Sequence, residues 1–159
     1  MKPALYVETS VVSYLTARPS RDIVAAARQQ LTEQWWQRRN EYDLFASPLV
    51  LEEAGMGDAE AAAARLHILR EIQLVAPAPE ADALAERLFR EVPFPTRAAA
   101  DAVHIAVAAT AGARFLLTWN FKHIANPVLR ERIGQVCRLS GVEPPILCTP
   151  EDLLEATSP

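Results

Sequence analysis

Short apolar runs alternate with longer stretches of helical periodicity along the whole chain. The first run, Ala4 to Val7, is apolar at every position, the pattern of a strand buried on both faces. After it, Glu8-Thr9-Ser10 offers hydroxyls to cap a helix over Val11 to Leu15, which Arg18-Pro19-Ser20 breaks. A second helical pattern opens at Asp22 and continues through Trp35 and Trp36. Tyr42 to Ala46 predicts the next strand, and Ser47-Pro48 a helix start, with a hydroxyl cap followed by proline in the first turn. Gly55-Met56-Gly57-Asp58 marks a stop and restart, and Asp58 to Ile72 is Ala-rich and helical. Leu74 to Ala76 is a short strand closed by Pro77 and Pro79, and Glu80 to Glu91 a helix ended by Pro93 and Pro95. Thr96 caps a helix reaching about Ala111, with Gly112 as its stop. Arg114 to Trp119 is a buried strand, Pro127 to Leu139 a helix, Pro145 to Thr149 the last strand, and Glu151 to Glu155 a terminal helical turn.

Strands that alternate with helices imply an α/β domain whose sheet is mainly parallel, with helices on both faces. The chain has 159 residues, enough for one core, and neither a repeat nor a low-complexity linker divides it, so residues 1–159 form a single domain. Its composition is 50% hydrophobic with both charge signs interspersed, which excludes a disordered chain. The most apolar long stretch, Ala98 to Leu117, contains Asp101, His104 and Arg114 and is too weak to span a membrane. Glu8 cuts short the apolar segment that follows Lys2, so no signal peptide is expected. Cys137 and Cys148 form no metal-binding pattern and read as free thiols. A cytoplasmic protein is expected. With 16 Lys+Arg against 20 Asp+Glu the net charge is −4, so no overall basic field draws in nucleic acid. The basic residues are nearly all Arg, and Arg18, Arg21 and Arg28 follow closely on the first strand and helix.

In parallel α/β sheets, functional groups gather outside the carboxyl ends of the strands. Glu8 follows the first strand and Asn120 follows Phe-Leu-Leu-Thr-Trp, so both belong at that edge. On the helix opened by Ser47-Pro48, Glu53 shares a face with Leu49, Val50 and Met56, whereas Glu52 points about a third of a turn away. Asp101 shares a helical face with Ile105 and Ala108, and His104 is its neighbour one turn on. An acid on an apolar face is costly unless it is paired or binds a cation, and several aimed at one edge repel each other. A divalent metal resolves that repulsion. Oxygen-only ligands point to Mg²⁺ or Mn²⁺. Glycine-rich phosphate loops and the nucleophile elbow are both absent from the sequence.

These segments resemble the motifs of PIN-domain ribonucleases. Tyr6-Val7-Glu8-Thr9-Ser10 is similar to their opening strand and turn, and Ser47 to Glu53 to their second motif, in which a Ser precedes the acid by six residues and so selects Glu53. Ala100 to Ala106 resembles the third motif, Asp-Ala-x-x-x-Ala, and Thr118-Trp119-Asn120 the fourth, Thr-x-Asp. The four occur in the family's order over about Leu5 to Phe121. Within the family, the chain looks most like the VapC-type toxins of bacterial toxin–antitoxin pairs. The resemblance implies a PIN-like three-layer α/β/α fold with a central, mainly parallel sheet of four to five strands. It also implies metal-dependent hydrolysis of single-stranded RNA by a homodimer restrained by a cognate antitoxin. Under it, Glu8, Glu53 and Asp101 hold Mg²⁺ or Mn²⁺ and Asn120 positions water. Thr9, Ser10, Thr118 and His104 orient these groups or contact a phosphate.

Two positions depart from the family pattern: Glu8 and Asn120 each stand where Asp is usual. Glu is one methylene longer, and Asn removes a formal charge, leaving three carboxylates. The alternative these departures leave open is a catalytically weak or inactive PIN-like module that binds RNA or a protein partner.

Overall fold

The computed structural model describes residues 1–120, 122–124 and 126–156, with Thr96 described in its backbone alone. Five strands form one sheet: β1 (Ala4–Val7), β2 (Asp43–Ala46), β3 (Gln73–Leu74), β4 (Phe115–Leu117) and β5 (Ile146–Cys148). Their order is β3-β2-β1-β4-β5 and every pairing is parallel. The central strand β1 pairs Tyr6 with Phe45 on one side and with Leu116 on the other. A strand flanked on both sides and covered on both faces must be apolar throughout, and Leu5, Tyr6 and Val7 are all buried.

Among the described residues, eight α-helices cover the sheet in two groups. On one face lie α1 (Thr9–Thr16), α2 (Ile23–Gln37), α3 (Pro48–Ala54) and α4 (Ala59–Leu69), joined by α8 (Pro150–Glu155) packed on α2. On the other, α5 (Pro79–Glu91) packs on α6 (Ala99–Thr110) and α7 (Pro127–Leu139). This is the three-layer α/β/α arrangement, with five strands and all of them parallel. The connections out of β1 and β2 run one way along the sheet, whereas β4 and β5 lie on the other side of β1. The strand order therefore reverses between β1 and β4, and a crevice at the carboxyl ends of these two strands follows from that reversal. No described helix is long and apolar enough to cross a membrane.

Several element ends differ from the sequence reading, each for a local reason. Helix α1 begins at Thr9 rather than Val11, because the Glu8 side chain, not a hydroxyl, accepts the Ser10 N–H at its start. Ser47 sits at the N-cap of α3 but makes no capping bond. Strand β3 is Gln73–Leu74 rather than Leu74 to Ala76, since the chain leaves the sheet edge after Val75 N–H bonds Ala46 O at 2.9 Å. Thr96 opens a single 3₁₀ turn, and α6 starts only at Ala99, with Ala98 rather than Thr96 at its cap position. The stop and restart at Gly55 to Asp58 forms as expected: Gly57 takes a φ of 82°, open to glycine, and Asp58 accepts from Ala61 N–H at 3.0 Å. Trp35 is buried in the core, and Trp36 packs beside it with the Arg39 guanidinium 4.6 Å above its ring.

Both cysteines are buried free thiols, and burial pushes their pKa up to about 11 for Cys137 and about 12 for Cys148. The thiolate is the reactive form, so neither is expected to react with iodoacetamide at neutral pH until the fold is opened by denaturant. Mass spectrometry of labelled native protein checks this; rapid native labelling of either residue would contradict the buried placement.

Candidate active site

A polar residue immediately follows each of the strands β1, β2 and β4: Glu8, Ser47 and Thr118. Glu8 is held at the carboxyl edge because its backbone N–H still pairs with Leu117 O at 3.0 Å, extending the sheet by one bond. Its side chain folds back over the start of α1. There, Oε2 accepts the Ser10 N–H at 3.0 Å, the Thr118 hydroxyl at 2.9 Å and the Ser10 hydroxyl. The two hydroxyls are in turn fixed from behind. Ser10 Oγ accepts the Trp119 N–H at 2.8 Å, and Thr118 Oγ1 accepts the Asn120 N–H at 2.9 Å. Both motif segments thus grip one carboxylate oxygen, while Oε1 has no hydrogen-bond partner among the described residues.

Glu53 projects from α3 toward the same crevice, and Glu52 beside it is exposed. Its Oε1 accepts the Thr9 hydroxyl at 2.6 Å and lies 2.7 Å from His104 Nε2. Its Oε2 has no hydrogen-bond partner among the described residues. Ligand atoms of Glu8, Glu53 and His104 lie within 4.8 Å of one another, a spacing that suits a metal ion. Asp101 stands outside this set. Its Oδ1 accepts the Asn120 amide N–H at 3.1 Å and its Oδ2 lies 2.5 Å from His123 Nδ1. The Asn120 amide oxygen accepts the His123 backbone N–H at 3.2 Å, so both ends of that amide are engaged within the protein. The expectation of ligands with no histidine therefore meets a site in which His104 touches one acid and His123 another.

His123 is the residue the sequence reading missed. It lies three residues beyond Asn120, and only the turn after β4 brings it to an acid 22 positions earlier. Its proximity to the fourth motif was the one available signal.

The three acids experience different fields. Glu8 is 6% exposed, and burial holds its pKa above the ordinary carboxylate value. The His104 charge and the Ser10 and Thr118 bonds oppose that rise without cancelling it. Asp101 is raised for the same reason, against the pull of His123, His104 and Asn120. Burial also acts on Glu53, but there His104 and Thr9 outweigh it and the net shift is downward. Glu8 and Glu53, close together and each with one oxygen that has no hydrogen-bond partner among the described residues, fit a divalent cation by donor chemistry.

A family model for the PIN domain matches residues 5–125. The chain belongs to the PIN-domain family. Two solved structures resemble this PIN domain in fold. One is VapBC2 from Rickettsia felis, bound to a DNA fragment from their promoter: TM-score 0.52 and 14% identity, covering 92% of this chain and 98% of that chain. The other is VapC20 from Mycobacterium tuberculosis, a sarcin–ricin loop cleaving toxin: TM-score 0.60 and 17% identity, covering 78% of this chain and 95% of that chain. No curated protein matches the chain. In this PIN domain all four expected motifs reach one sheet edge, each on the element its sequence predicts, with Glu8 and Asn120 in the positions where the family usually has Asp.

Proposed function

We propose that this PIN domain is a metal-dependent endoribonuclease that hydrolyses phosphodiester bonds in single-stranded RNA, acting as the toxin of a toxin–antitoxin pair. The observation that carries the reading is the approach of Glu8 and Glu53 at the carboxyl ends of the strands where the order reverses, each with one oxygen left open. The toxin assignment draws on the similarity to VapC20 and to the VapBC2 complex. It carries with it a homodimer and a cognate antitoxin as partners.

Glu8 and Glu53 would hold a Mg²⁺ or Mn²⁺ ion, with Asp101 as the third acid beside them. Such an ion, when bound, lowers the pKa of water and neutralises charge on the phosphate oxygens. The chain's own groups supply the pre-organisation. Ser10 and Thr118 aim Glu8, Thr9 and His104 aim Glu53, and Asn120 with His123 holds Asp101. Asn120 donates one amide N–H to Asp101, and its second N–H remains to position a water. One observation favours the reading as a non-catalytic binding module: both Asp101 oxygens already meet a protein partner, so a cation would compete with Asn120 and His123 for them.

Purified protein is expected to cut labelled single-stranded RNA with Mn²⁺ or Mg²⁺, to stop in EDTA, and to lose the activity in Asp101→Asn. Cleavage that persists in EDTA or in the variant would refute the assignment. A folded protein that binds RNA yet cuts none in either metal would support the binding module.

A further inference from the structure

Glu53 differs from the other two acids in what stands behind it. A line of side chains starts in the core and ends on its carboxylate. The Ser47 hydroxyl lies 2.8 Å from the Tyr6 phenol oxygen, which lies 2.7 Å from His104 Nδ1, and His104 Nε2 lies 2.7 Å from Glu53 Oε1. The four residues come from four places in the fold: β1, the end of β2, α6 and α3. Tyr6, Ser47 and His104 are all 1% exposed or less. The Tyr6 and His104 rings also meet edge-on, with centroids 5.8 Å apart, and Phe45 closes the other side of Tyr6 at 5.5 Å.

Three features separate this line from ordinary packing. Ser47 occupies a helix N-cap, where its hydroxyl would normally bond the first-turn N–H groups, yet it makes no such bond and joins Tyr6 instead. A tyrosine phenol is protonated at neutral pH, so Tyr6 remains an O–H group with a proton to give within this line. Finally, an ionised carboxylate only accepts hydrogen bonds, so His104 Nε2 donates to Glu53 whatever the charge on the ring. The ring orientation is then fixed at its far nitrogen, where Tyr6 sits. With both nitrogens engaged, the imidazole serves as a support for Glu53.

The geometry points to Ser47, Tyr6 and His104 as positioning residues that hold Glu53 Oε1 against the protein and leave Oε2 turned to a cation. Supporting groups of this kind set the orientation and basicity of a ligand without touching the ion. The inference rests on the nuclease reading in one respect, that Glu53 holds metal. It extends that reading to three residues in the core that touch neither metal nor substrate.

The test uses Tyr6→Phe, which removes a single oxygen, and His104→Gln, alone and combined. In metal-free, isotope-labelled protein, the Glu53 side-chain carboxyl resonance, assigned through Glu53→Gln, is expected to move in both single variants. Calorimetric titration with Mn²⁺ is expected to show roughly 10-fold weaker binding or worse in each. The double variant should bind no more weakly than His104→Gln alone, because one missing link already disconnects the line. Val136→Ala, a truncation at a fully buried site on α7, is expected to lower thermal stability and leave both readouts unchanged. An unmoved Glu53 resonance, with Mn²⁺ affinity within about twofold of the parent in folded Tyr6→Phe, would overturn the inference, as would strictly additive losses. A parent protein that binds no Mn²⁺ would overturn the nuclease reading instead, and the metal-free resonance would then decide the support role by itself.

Discussion

Glu8→Gln is expected to stabilise the metal-free protein and at the same time to remove its RNA cleavage. The stability gain follows from burial. Glu8 is nearly inaccessible and its pKa lies above the ordinary value because burial penalises the charged form more than its hydrogen bonds and the His104 charge favour it. A group with a raised folded-state pKa binds its proton more tightly folded than unfolded. Its contribution to stability is full at low pH and is lost as pH rises through the folded-state value. At neutral pH the carboxylate is therefore a liability that glutamine lacks. The amide oxygen can keep the Ser10 and Thr118 bonds. Asp101 acts in the same direction as Glu8, whereas Glu53, with a lowered pKa, loses its contribution as pH falls. Thermal unfolding in EDTA is thus expected to show a metal-free parent more stable at about pH 5 than at about pH 7 on account of Glu8, with a smaller difference in the variant. Activity moves the other way. Removing one charge from the metal site should lower cleavage by at least about a hundredfold, the scale of losing several kcal/mol of transition-state charge stabilisation. A variant less stable than its parent in EDTA, or one that cuts RNA at the parent rate, would contradict this account.

Asn120→Asp is expected to have the opposite pair of effects. The Asn120 amide donates to Asp101 Oδ1 at 3.1 Å. An aspartate there puts two acceptors, both negative, at hydrogen-bond distance, so one of them must protonate or the turn must open. The metal-free protein should melt lower. With Mn²⁺ or Mg²⁺ the added carboxylate becomes an asset, since affinity rises with the charge of the ligand set. Metal affinity is expected to rise by about tenfold or more, read as a larger thermal shift on metal addition than the parent gives. Equal thermal shifts in the two proteins would mean that position 120 does not face the metal site.

Much of this protein is readable from local pattern. The all-apolar run at Leu5 to Val7 reads as a strand covered on both faces, and strands separated by helices favour parallel pairing, as every pairing here shows. Such local rules also placed Glu8 and Asn120 at one edge, because each directly follows a strand. The helical period turned Glu53 inward and Glu52 outward, and the structure places them that way. Family motifs supplied the order of the four segments, and the family match over residues 5–125 rests on the same stretch.

What local pattern misassigned were the jobs of side chains that have more than one available partner. Ser47 and Thr9 are hydroxyls next to helix starts, and capping is the bond their neighbours in sequence offer. In the fold, Ser47 bonds a phenol 41 residues earlier and Thr9 a carboxylate 44 residues later. Glu8, expected to serve only the metal site, also caps α1. In sequence, His104 stands one helical turn from Asp101. It is buried and bonded to Glu53 at once, on a different helix from the acid and 51 residues away. His123 had no reading, because its pairing with Asp101 depends on how the chain turns after β4.

By itself, then, the sequence determined which segments are strands and helices, that the sheet is mainly parallel, and which acids stand near its carboxyl edge. These follow from periodicity and from chain direction, which are local properties. Only the tertiary structure decided that Glu8 and Glu53 come close together, that both Asp101 oxygens meet a protein partner, and that a buried line runs from Ser47 to Glu53. Those outcomes depend on hydrogen bonds between residues far apart in the chain. A donor's nearest acceptor in space is set by the packing of β1, β2, α3 and α6 together, and no local spacing encodes it.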